Sequence, residues 1–472
     1  MSVWDELCAG LSASESANLR HALAAVLRSL GPDDPFDAPL LDLWIAEHDL
    51  RLAAQLDAIL HHPRIQALES AWRGLAVLVE RVRFDENIRV ELLSCSKDDL
   101  FADFSAAPEI VRSGLYHVVY NQAFGIFGGQ PYGLLCADYD FTPSAEDISL
   151  LRQCAAVAAM SHAPFIANCS PNFFNLPDFS GLQRVREVRA ALASPRFRLW
   201  HAFRASEDAR YVGLCLPRVL LRAPYDVDIE PTTPLPYRES CRRHADFLWG
   251  RPSFLFAATA AASFARYRWC VHLLGTKAAA GNVVLRWDYP TLPGIWHRCP
   301  FEALLTARLA YTLAEEGLIS FVYERATRRA SILVAPSIQR PRAVITDGQT
   351  INDQLGAQLP YVFLVARLAH FLKCVQRERI GAWVDRSSLE GELNKWLRQY
   401  ISDQPDAQWE VRARRPLRSA AVTVEPVEGQ AGWYRCHLQL QPHLTHNSAS
   451  FTLSLFGKLD RPAGEVASER SA

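Results

Sequence analysis

The chain has 472 residues, of which 49% are hydrophobic and 21% are charged, so it can bury a sizeable core in two or three domains. Its 50 basic and 51 acidic residues give a formal net charge of -1, which excludes the strong overall charge that draws proteins to nucleic acid or anionic lipid. The eleven cysteines contain no Cys-x-x-Cys pair, and an odd number cannot all pair, so they predict reduced thiols and exclude a disulfide scaffold.

The N-terminal and apolar segments predict a cytoplasmic protein without membrane insertion. The first residues, MSVWDELCAGLSASES, lack the basic and apolar regions of a secretory signal. The longest apolar stretch, FLFAATAAASFA (254–265), is shorter than the ~20 residues that a membrane-spanning helix needs.

The first 83 residues are predicted to be helical. Residues 1–38 form a mobile extension, with a helix candidate at 3–30 and a spacer rich in proline and aspartate after it. Residues 39–83 form a helical hairpin whose two helices are separated at His61-His62-Pro63, because proline cannot continue the first helix. One stripe of the second helix carries apolar side chains at steps of three and four, namely Ile65, Leu68, Trp72, Leu75 and Val79.

After Arg83 the pattern changes to strands alternating with helices. Strands are predicted at 88–96, 133–141 and 164–170, and a helix between the last two begins at Ser144 as N-cap, with Asp147 three residues on. This order is a βαβ unit, and its apolar strands suit a parallel sheet covered on both faces. The fold class is therefore α/β, with a central sheet in a body of residues 84–415 whose second subdomain begins at about 226.

The glycine-rich stretch FGIFGGQPYGLLCADYDF (124–141) raises the question of a phosphate-binding loop. Such a loop follows a strand and precedes a helix, whereas Gly128 and Gly129 precede a strand and no Lys-Ser/Thr follows. We therefore predict that these glycines supply positive φ angles in a tight turn.

Other candidate chemistry in the sequence is weak. Asp138 and Asp140 end a strand and could hold a metal, but no third ligand is visible beside them. His61 and His62 are adjacent and lie on different helix faces, and no Cys or Glu accompanies His443 and His446. The basic runs at 242–251 and 412–418 are short and typical of solvated faces, with a protein interface as the alternative. We predict no catalytic, metal or cofactor site and no enzyme activity.

The C-terminal region, residues 416–472, is predicted to be rich in strands and to end in a disordered tail. Residues 422–427, 433–440 and 450–459 alternate apolar and polar side chains, and the glycines of EGQAG suit a hairpin loop between the first two. These strands either close a sheet within one chain or complete a sheet shared with neighbouring subunits.

Several stretches resemble the large subunit of the contractile sheath of type VI secretion systems, the TssC (VipB, ImpC) family. The resemblance is collinear over roughly residues 40–460. It is carried by QLDAILHHPRIQALESAWRGLAVLV (55–79), FGIFGGQPYGLLCADYDF (124–141), AAVAAMSHAPFIANCSP (155–171), SEDARYVGLCLPRVLLRAPY (206–225), FLWG (247–250), FARYRWCVHLLG (264–275) and LGAQLPYVFLVARLAHFLKCVQRERIGAWVD (355–385).

The resemblance implies a structural subunit that pairs with the small sheath subunit TssB and polymerises around an Hcp inner tube, which contraction propels into a target cell. It also implies contacts with baseplate components and recognition of an N-terminal helix by the ATPase ClpV. We predict interface positions in the second helix and the C-terminal strands: Leu68, Trp72, Leu75, Leu438, Leu440, Phe451, Leu453 and Leu455.

Two departures from the family keep alternatives open. The segment before Pro39 is shorter than usual, and residues 275–318 retain only Cys299-Pro300 and Glu302 of the expected pattern. The chain could be a divergent second sheath subunit or a sheath-like accessory or capping protein. A cytosolic α/β enzyme is the alternative from another class, and it would require acids or histidines converging in one cleft.

Overall fold

In this computed structural model the described residues are residue 21 and residues 38–185, 187–226, 237–275, 283–284, 290–292, 295–324, 329–341, 353–378, 386–402, 409–426, 434–443 and 453–457. Apart from His21 and Ala38, the predicted N-terminal extension lies outside the described residues. The chain divides into two compact units, one of Met1–His62 with Pro224–Cys241 and one of Pro63–Ala223 with Arg242–Ala472.

The first unit contains helix α1 (Ala38–Leu60) and a returning segment after residue 236. Asp57 anchors that segment, because its Oδ1 accepts hydrogen bonds from the Tyr237 hydroxyl at 2.6 Å and from the Ser240 backbone N–H at 3.2 Å. One turn further on, His61 Nε2 lies 3.2 Å from Glu239 Oε1.

The second unit contains the other helices and the strands. Its described helices are α2 (Pro63–Arg81), α3 (Lys97–Ala106), α4 (Ala145–Ser161), α5 (Val188–Leu192), α6 (Arg198–Arg204), α7 (Ser253–Tyr267), α8 (Ala307–Glu315), α9 (Leu359–Glu378), α10 (Arg386–Arg398) and α11 (Trp409–Arg414), with shorter helical turns between them. Its described strands are β1 (Leu135–Phe141), β2 (Phe165–Cys169), β3 (Val212–Leu216), β4 (Val219–Leu220), β5 (Trp249–Gly250), β6 (Val283–Val284), β7 (Pro290–Leu292), β8 (Ile295–Arg298), β9 (Leu318–Glu324), β10 (Arg329–Ile332), β11 (Leu417–Pro426), β12 (Tyr434–Pro442) and β13 (Leu453–Gly457).

A six-stranded sheet in the order β1-β2-β3-β9-β10-β6 forms the centre of this unit. The first four strands are parallel to one another. Strand β10 pairs antiparallel with β9, and β6 pairs antiparallel with β10. Neighbouring residues of β2 enter different cores: Phe165 and Ala167 pack in the cluster that contains Leu151 of α4, and Ile166 packs with Phe256 of α7. Because successive side chains of a strand point to opposite faces, helices cover both faces of the sheet, and the predicted α/β class is confirmed.

The predicted βαβ unit is also confirmed. Strands β1 and β2 pair in parallel, and α4 connects them. Ser144 caps this helix, since its hydroxyl accepts the Asp147 N–H at 3.2 Å. The Asp147 carboxylate does not return to the cap residue but accepts the Thr142 N–H at 2.7 Å, which fixes the turn from strand to helix.

The predicted strand at 88–96 is wrong. The structure has neither helix nor strand from Ile88 to Cys95, and β1 is the edge strand of the sheet on this side. Ile88 and Val90 pack against a small core cluster beside α2, whereas Leu92 and Leu93 are exposed. The alternation of apolar residues here reflects the packing of Ile88 and Val90 beside α2 and does not indicate pairing with a neighbouring strand.

The last residue of the same segment, Ser96, belongs to a helix-start signal. Ser96 is the N-cap of α3 in a complete capping box, in which Ser96 Oγ accepts the Asp99 N–H and the Asp99 carboxylate accepts the Ser96 N–H. A serine followed three residues later by an acid predicts such a start, and this signal overlapped the predicted strand.

The glycine loop around Gly128 and Gly129 turns the chain, and its carbonyl groups accept hydrogen bonds from an arginine. Gly128 has a φ angle of 81°, as predicted, but Gly129 is not among the residues with positive φ. A Cβ on Gly129 would lie 2.6 Å from the backbone oxygens of Gln122 and Ala123, so close packing accounts for that glycine. Arg377 Nη1 donates to the carbonyl oxygens of Ala123, Ile126 and Gly129 at 3.0–3.2 Å. A loop that cradles phosphate presents N–H groups instead, so this loop has the opposite polarity.

Two half-buried histidines lie where the end of α4 meets α9. His370 Nε2 donates to the Ser161 carbonyl at 2.8 Å, and His162 Nδ1 lies 3.0 Å from the Tyr211 hydroxyl. Burial, together with the positive charge of Lys373, lowers the pKa of His162 to about 3. Burial also lowers the pKa of His370 to about 4, against the opposing hydrogen bond to Ser161.

We expect these histidines to make the chain sensitive to acid. Their pKa values are lower in the folded state than in the unfolded state, so the unfolded state binds more protons and stability falls as pH drops below about 6.5. Each histidine should remove about 2 kcal/mol from the free energy of unfolding between pH 7.5 and pH 5. Urea unfolding at the two pH values measures this loss. A His370→Gln variant should lose less stability over that interval, and an equal loss would contradict the assignment.

Candidate assembly surfaces

The predicted apolar stripe of α2 faces away from the core. Leu68 and Trp72 are 59% and 60% exposed, and Ile65 and Val79 are also exposed. Leu75 alone is half-buried, at the margin of the small cluster beside the helix. An exposed apolar stripe of this size on one helix is typical of a surface that another protein covers.

The opposite face of α2 explains why the stripe faces outward. Ser70, Gly74 and Leu78 are buried there. A Cβ on Gly74 would lie 2.6 Å from the Phe254 ring of α7, so the two helices approach closely at this glycine. Ser70 and Gly74 allow this close packing, with Leu78 buried on the same face, and the apolar stripe remains on the other side of the helix.

Helix α1 in the first unit also carries exposed apolar side chains. Leu43 and Leu50 are the most exposed, at 64% and 71%, and Ile45, Leu52 and Ile59 are exposed as well. Sequence analysis did not assign these positions to an interface, although the long helix with several unburied leucines was a signal for one.

The predicted C-terminal strands form a three-stranded antiparallel sheet in the order β11-β12-β13. Leu438 and Leu440 lie on the central strand β12 and are fully buried, in a cluster with Leu393 and Leu397 of α10. They hold this sheet to its own helix and are not surface residues. Leu455 and Leu453 of β13 pair in register with Leu438 and Leu440, and Phe451 lies outside the described residues.

One edge of this sheet is closed by side chains of α10. Asn394 Nδ2 donates to the Val422 carbonyl at 2.8 Å, and the Val422 N–H donates to Asn394 Oδ1 at 2.9 Å. The Val424 N–H donates to Glu390 Oε2 at 3.1 Å. Because these groups belong to the outer side of β11, that edge cannot accept another strand. Sequence analysis missed both residues, although Glu390 and Asn394 share one helix face at a spacing of four.

The other edge, β13, pairs with β12 alone among the described strands. Val422 stands opposite Leu438, and Leu438 stands opposite Leu455. In an antiparallel pair, two opposite residues either bond each other with both backbone groups or both point away. The backbone groups of Val422 point outward to Asn394, so those of Leu438 point to β13. The backbone groups of Leu455, opposite Leu438, therefore point to β12. Alternation along the strand then directs the N–H and C=O groups of Ser454 and Phe456 away from β12. This edge can accept a further strand.

The acidic pair that sequence analysis considered for a metal is held by an arginine. Arg251 Nη1 donates to Asp138 Oδ2 at 3.0 Å, and its Nε lies 3.2 Å from Asp140 Oδ2. Burial raises the pKa of Asp138, and the Arg251 charge opposes that rise. A guanidinium thus occupies the place between the two carboxylates where an ion was considered.

The other candidate residues are dispersed. His443 Nε2 lies 3.0 Å from the Ser402 carbonyl, and His446 is outside the described residues. In the basic run 242–251, Arg243 forms an ion pair with Asp246 at 2.9 Å. Within the described residues, no helix is both long enough and apolar enough to cross a bilayer.

Comparison with known proteins identifies the family. Residues 42–339 match the family model described as EvpB/VC_A0108, tail sheath N-terminal domain, and residues 348–459 match the one described as EvpB/VC_A0108, tail sheath gpW/gp25-like domain. The chain belongs to this tail sheath family. The type VI secretion system sheath protein TssC1 of Pseudomonas aeruginosa is 33% identical to it over 424 residues, which are 88% of this chain and 85% of that protein.

The solved structures that match this sheath protein are more distant in sequence. A chain of the anti-feeding prophage baseplate is 10% identical, with a TM-score of 0.33 over 82% of this chain and 84% of that one. The sheath tail protein Lin1278 of Listeria innocua is 9% identical, with a TM-score of 0.29 over 68% of this chain and 56% of that one.

The predicted resemblance is confirmed by the family match. This tail sheath protein is a contractile sheath subunit of the TssC type in a type VI secretion system, and its family is one of structural proteins, not enzymes. The exposed stripe on α2 and the open edge of β13 are therefore surfaces of a subunit that works in an assembly.

Proposed function

We propose that this sheath subunit pairs with the small sheath subunit TssB in the cytoplasm, and that the pairs polymerise around an Hcp inner tube on a baseplate. The observation that carries the proposal is the C-terminal sheet with one edge closed by Asn394 and Glu390 and the other edge open at β13. A strand from a neighbouring subunit has one place to add, so the polymer grows with a fixed register and direction.

Strand sharing also accounts for connectivity during contraction. A backbone hydrogen bond contributes only about 1 kcal/mol net, but several bonds in every subunit make a continuous chain of contacts. The bodies of the subunits can rotate between two packings while the shared strands stay paired. The free energy that drives contraction is then stored in the packing of the assembly and not in a nucleotide bound to this chain.

Co-expression with the small sheath subunit, followed by electron microscopy, tests the proposal. We expect long tubules. A soluble heterodimer that never polymerises would instead favour the accessory or capping role, and indifference to the small subunit would overturn the proposal.

Recycling by ClpV is the last part of the proposed function, with residues 1–30 as the segment that the ATPase grips. In the helix that the sequence predicts here, Leu7, Leu11 and Leu19 would form short apolar faces, which would suit binding in a groove. We expect contracted tubules of a chain without residues 1–30 to resist disassembly by ClpV, measured as the loss of sedimentable tubules with time. Disassembly at the normal rate would place the handle elsewhere.

A further inference from the structure

A cleft of about 400 Å³ opens beside the carboxyl ends of the parallel strands in the second unit. Asp140 comes from the end of β1, Asp178 follows β2, and Arg218 follows β3. His244 and Arg251 line the cleft from the segment around β5, and Gln66 and Ser70 line it from α2. In open α/β sheets, this end of the strands is where ligands bind.

Three potential metal ligands meet beside this cleft, and two of them, Asp178 and His244, belong to its lining. One nitrogen of His244 and one carboxylate oxygen each from Asp178 and Glu302 lie within 4.8 Å of one another. The His244 ring is held in place by Trp249. The two rings stack with their centroids 4.9 Å apart, and the backbone carbonyl of His244 accepts the Trp249 indole N–H at 2.9 Å. The ligands come from three distant parts of the chain, so sequence spacing could not reveal them.

Glu302 provides the second, independent observation. Its side chain is fully buried, and its Oε1 accepts the Phe179 N–H at 3.0 Å and lies 3.0 Å from His244 Nε2. Its Oε2 is buried and has no hydrogen-bond partner among the described residues, and Arg218 Nε lies 4.0 Å away. A buried carboxylate oxygen without a donor is costly, and a metal ion would compensate it.

The charges around the cleft favour a divalent ion. The four carboxylates of Asp138, Asp140, Asp178 and Glu302 face two guanidinium groups, those of Arg218 and Arg251. Four carboxylates opposite two guanidinium groups leave negative charge in excess, which one divalent cation would neutralise. One imidazole and two carboxylates suit first-row transition metals, whereas Mg²⁺ and Ca²⁺ prefer sites made of oxygen alone.

We propose that Asp178, His244 and Glu302 bind one transition-metal ion of the Zn²⁺ or Mn²⁺ class. The ion joins the segments after β2, before β5 and after β8, and so stabilises the loops at this end of the sheet.

The test titrates Zn²⁺ into the full chain, without an affinity tag and after treatment with a chelator, by calorimetry. A Cys241→Ser background is used, because His61, Glu239 and Cys241 form another group of potential ligands in the first unit. We expect one Zn²⁺ per chain, and a loss of at least about 100-fold in affinity for Glu302→Gln. Glu315→Gln, which alters an exposed acid paired with Arg189, is the matched control and should bind as the parent does.

A second variant keeps the test decisive if Glu302→Gln folds poorly. Asp178 caps a short helical turn, since its Oδ1 accepts the Ser180 N–H at 3.0 Å, and asparagine caps equally well. Asp178→Asn should therefore fold normally and lose Zn²⁺ affinity. Absence of Zn²⁺ binding in the parent, unchanged binding in both variants, or Mg²⁺ binding as tight as Zn²⁺ would each overturn the site.

Discussion

Tubules are expected to disappear when Ser454 is replaced by proline, while the C-terminal sheet still folds. The register across β11, β12 and β13 directs the Ser454 N–H away from β12. Proline removes that donor and places its ring where an added strand would pair, and prolines are tolerated on the outer side of edge strands. Electron microscopy of the chain co-expressed with the small sheath subunit measures the effect, and circular dichroism reports the fold.

Leu455→Pro is the matched control for this prediction. The Leu455 N–H points towards β12, so proline there breaks the ladder inside the chain and should lower the stability of the sheet itself. Ser454→Pro should thus lose only assembly, and Leu455→Pro should lose both. Normal tubules from Ser454→Pro would show that β13 is not the edge to which a neighbour adds its strand.

Leu438, a predicted interface position on β12, is not suitable as a probe of strand sharing. Leu438 was predicted to lie at an interface because its strand alternates apolar and polar residues. The structure places it in the core between β12 and α10. Alternation identifies a half-buried strand, but it does not say whether the buried face is covered by the same chain or by another.

The βαβ unit was predictable because all its signals are local. Ser144 and Asp147 mark the start of α4, and the apolar runs on both sides have the length of buried strands. The prediction of a strand at 88–96 also relied on local signals, and it was wrong. Local alternation there competed with the capping signal at Ser96 and Asp99, and only the packing of Ile88 and Val90 beside α2 decided the outcome.

The surfaces that matter for assembly depend on contacts between residues far apart in the sequence. The closed edge of β11 requires Asn394 to reach Val422, 28 positions away. The ligand set in the cleft requires His244 and Glu302 to meet, 58 positions apart. A pattern in a single sequence does not show which distant residues make contact. The apolar stripe of α2 was visible because its apolar residues recur at helical spacing within one helix.

The second large effect that we predict is the loss of binding to the small sheath subunit when the α2 stripe is changed. Replacing Leu68 and Trp72 together with glutamate should abolish stable binding to the small sheath subunit and leave the fold intact. Both side chains are more than half exposed, so their loss should change the free energy of unfolding by no more than about 0.5 kcal/mol each. A tryptophan at the centre of an interface commonly contributes 2 kcal/mol or more, which corresponds to roughly a 30-fold change in Kd.

The other face of the same helix supplies the control. Leu78 is buried beside Phe254, so Leu78→Ala should lower the free energy of unfolding by about 2–5 kcal/mol, whatever the stripe does. Co-purification and sedimentation of the complex measure binding, and urea unfolding measures stability. If the double glutamate variant binds the small subunit with the parental Kd, another surface holds that partner. If it unfolds as readily as Leu78→Ala, the stripe belongs to the core of this chain and not to an interface.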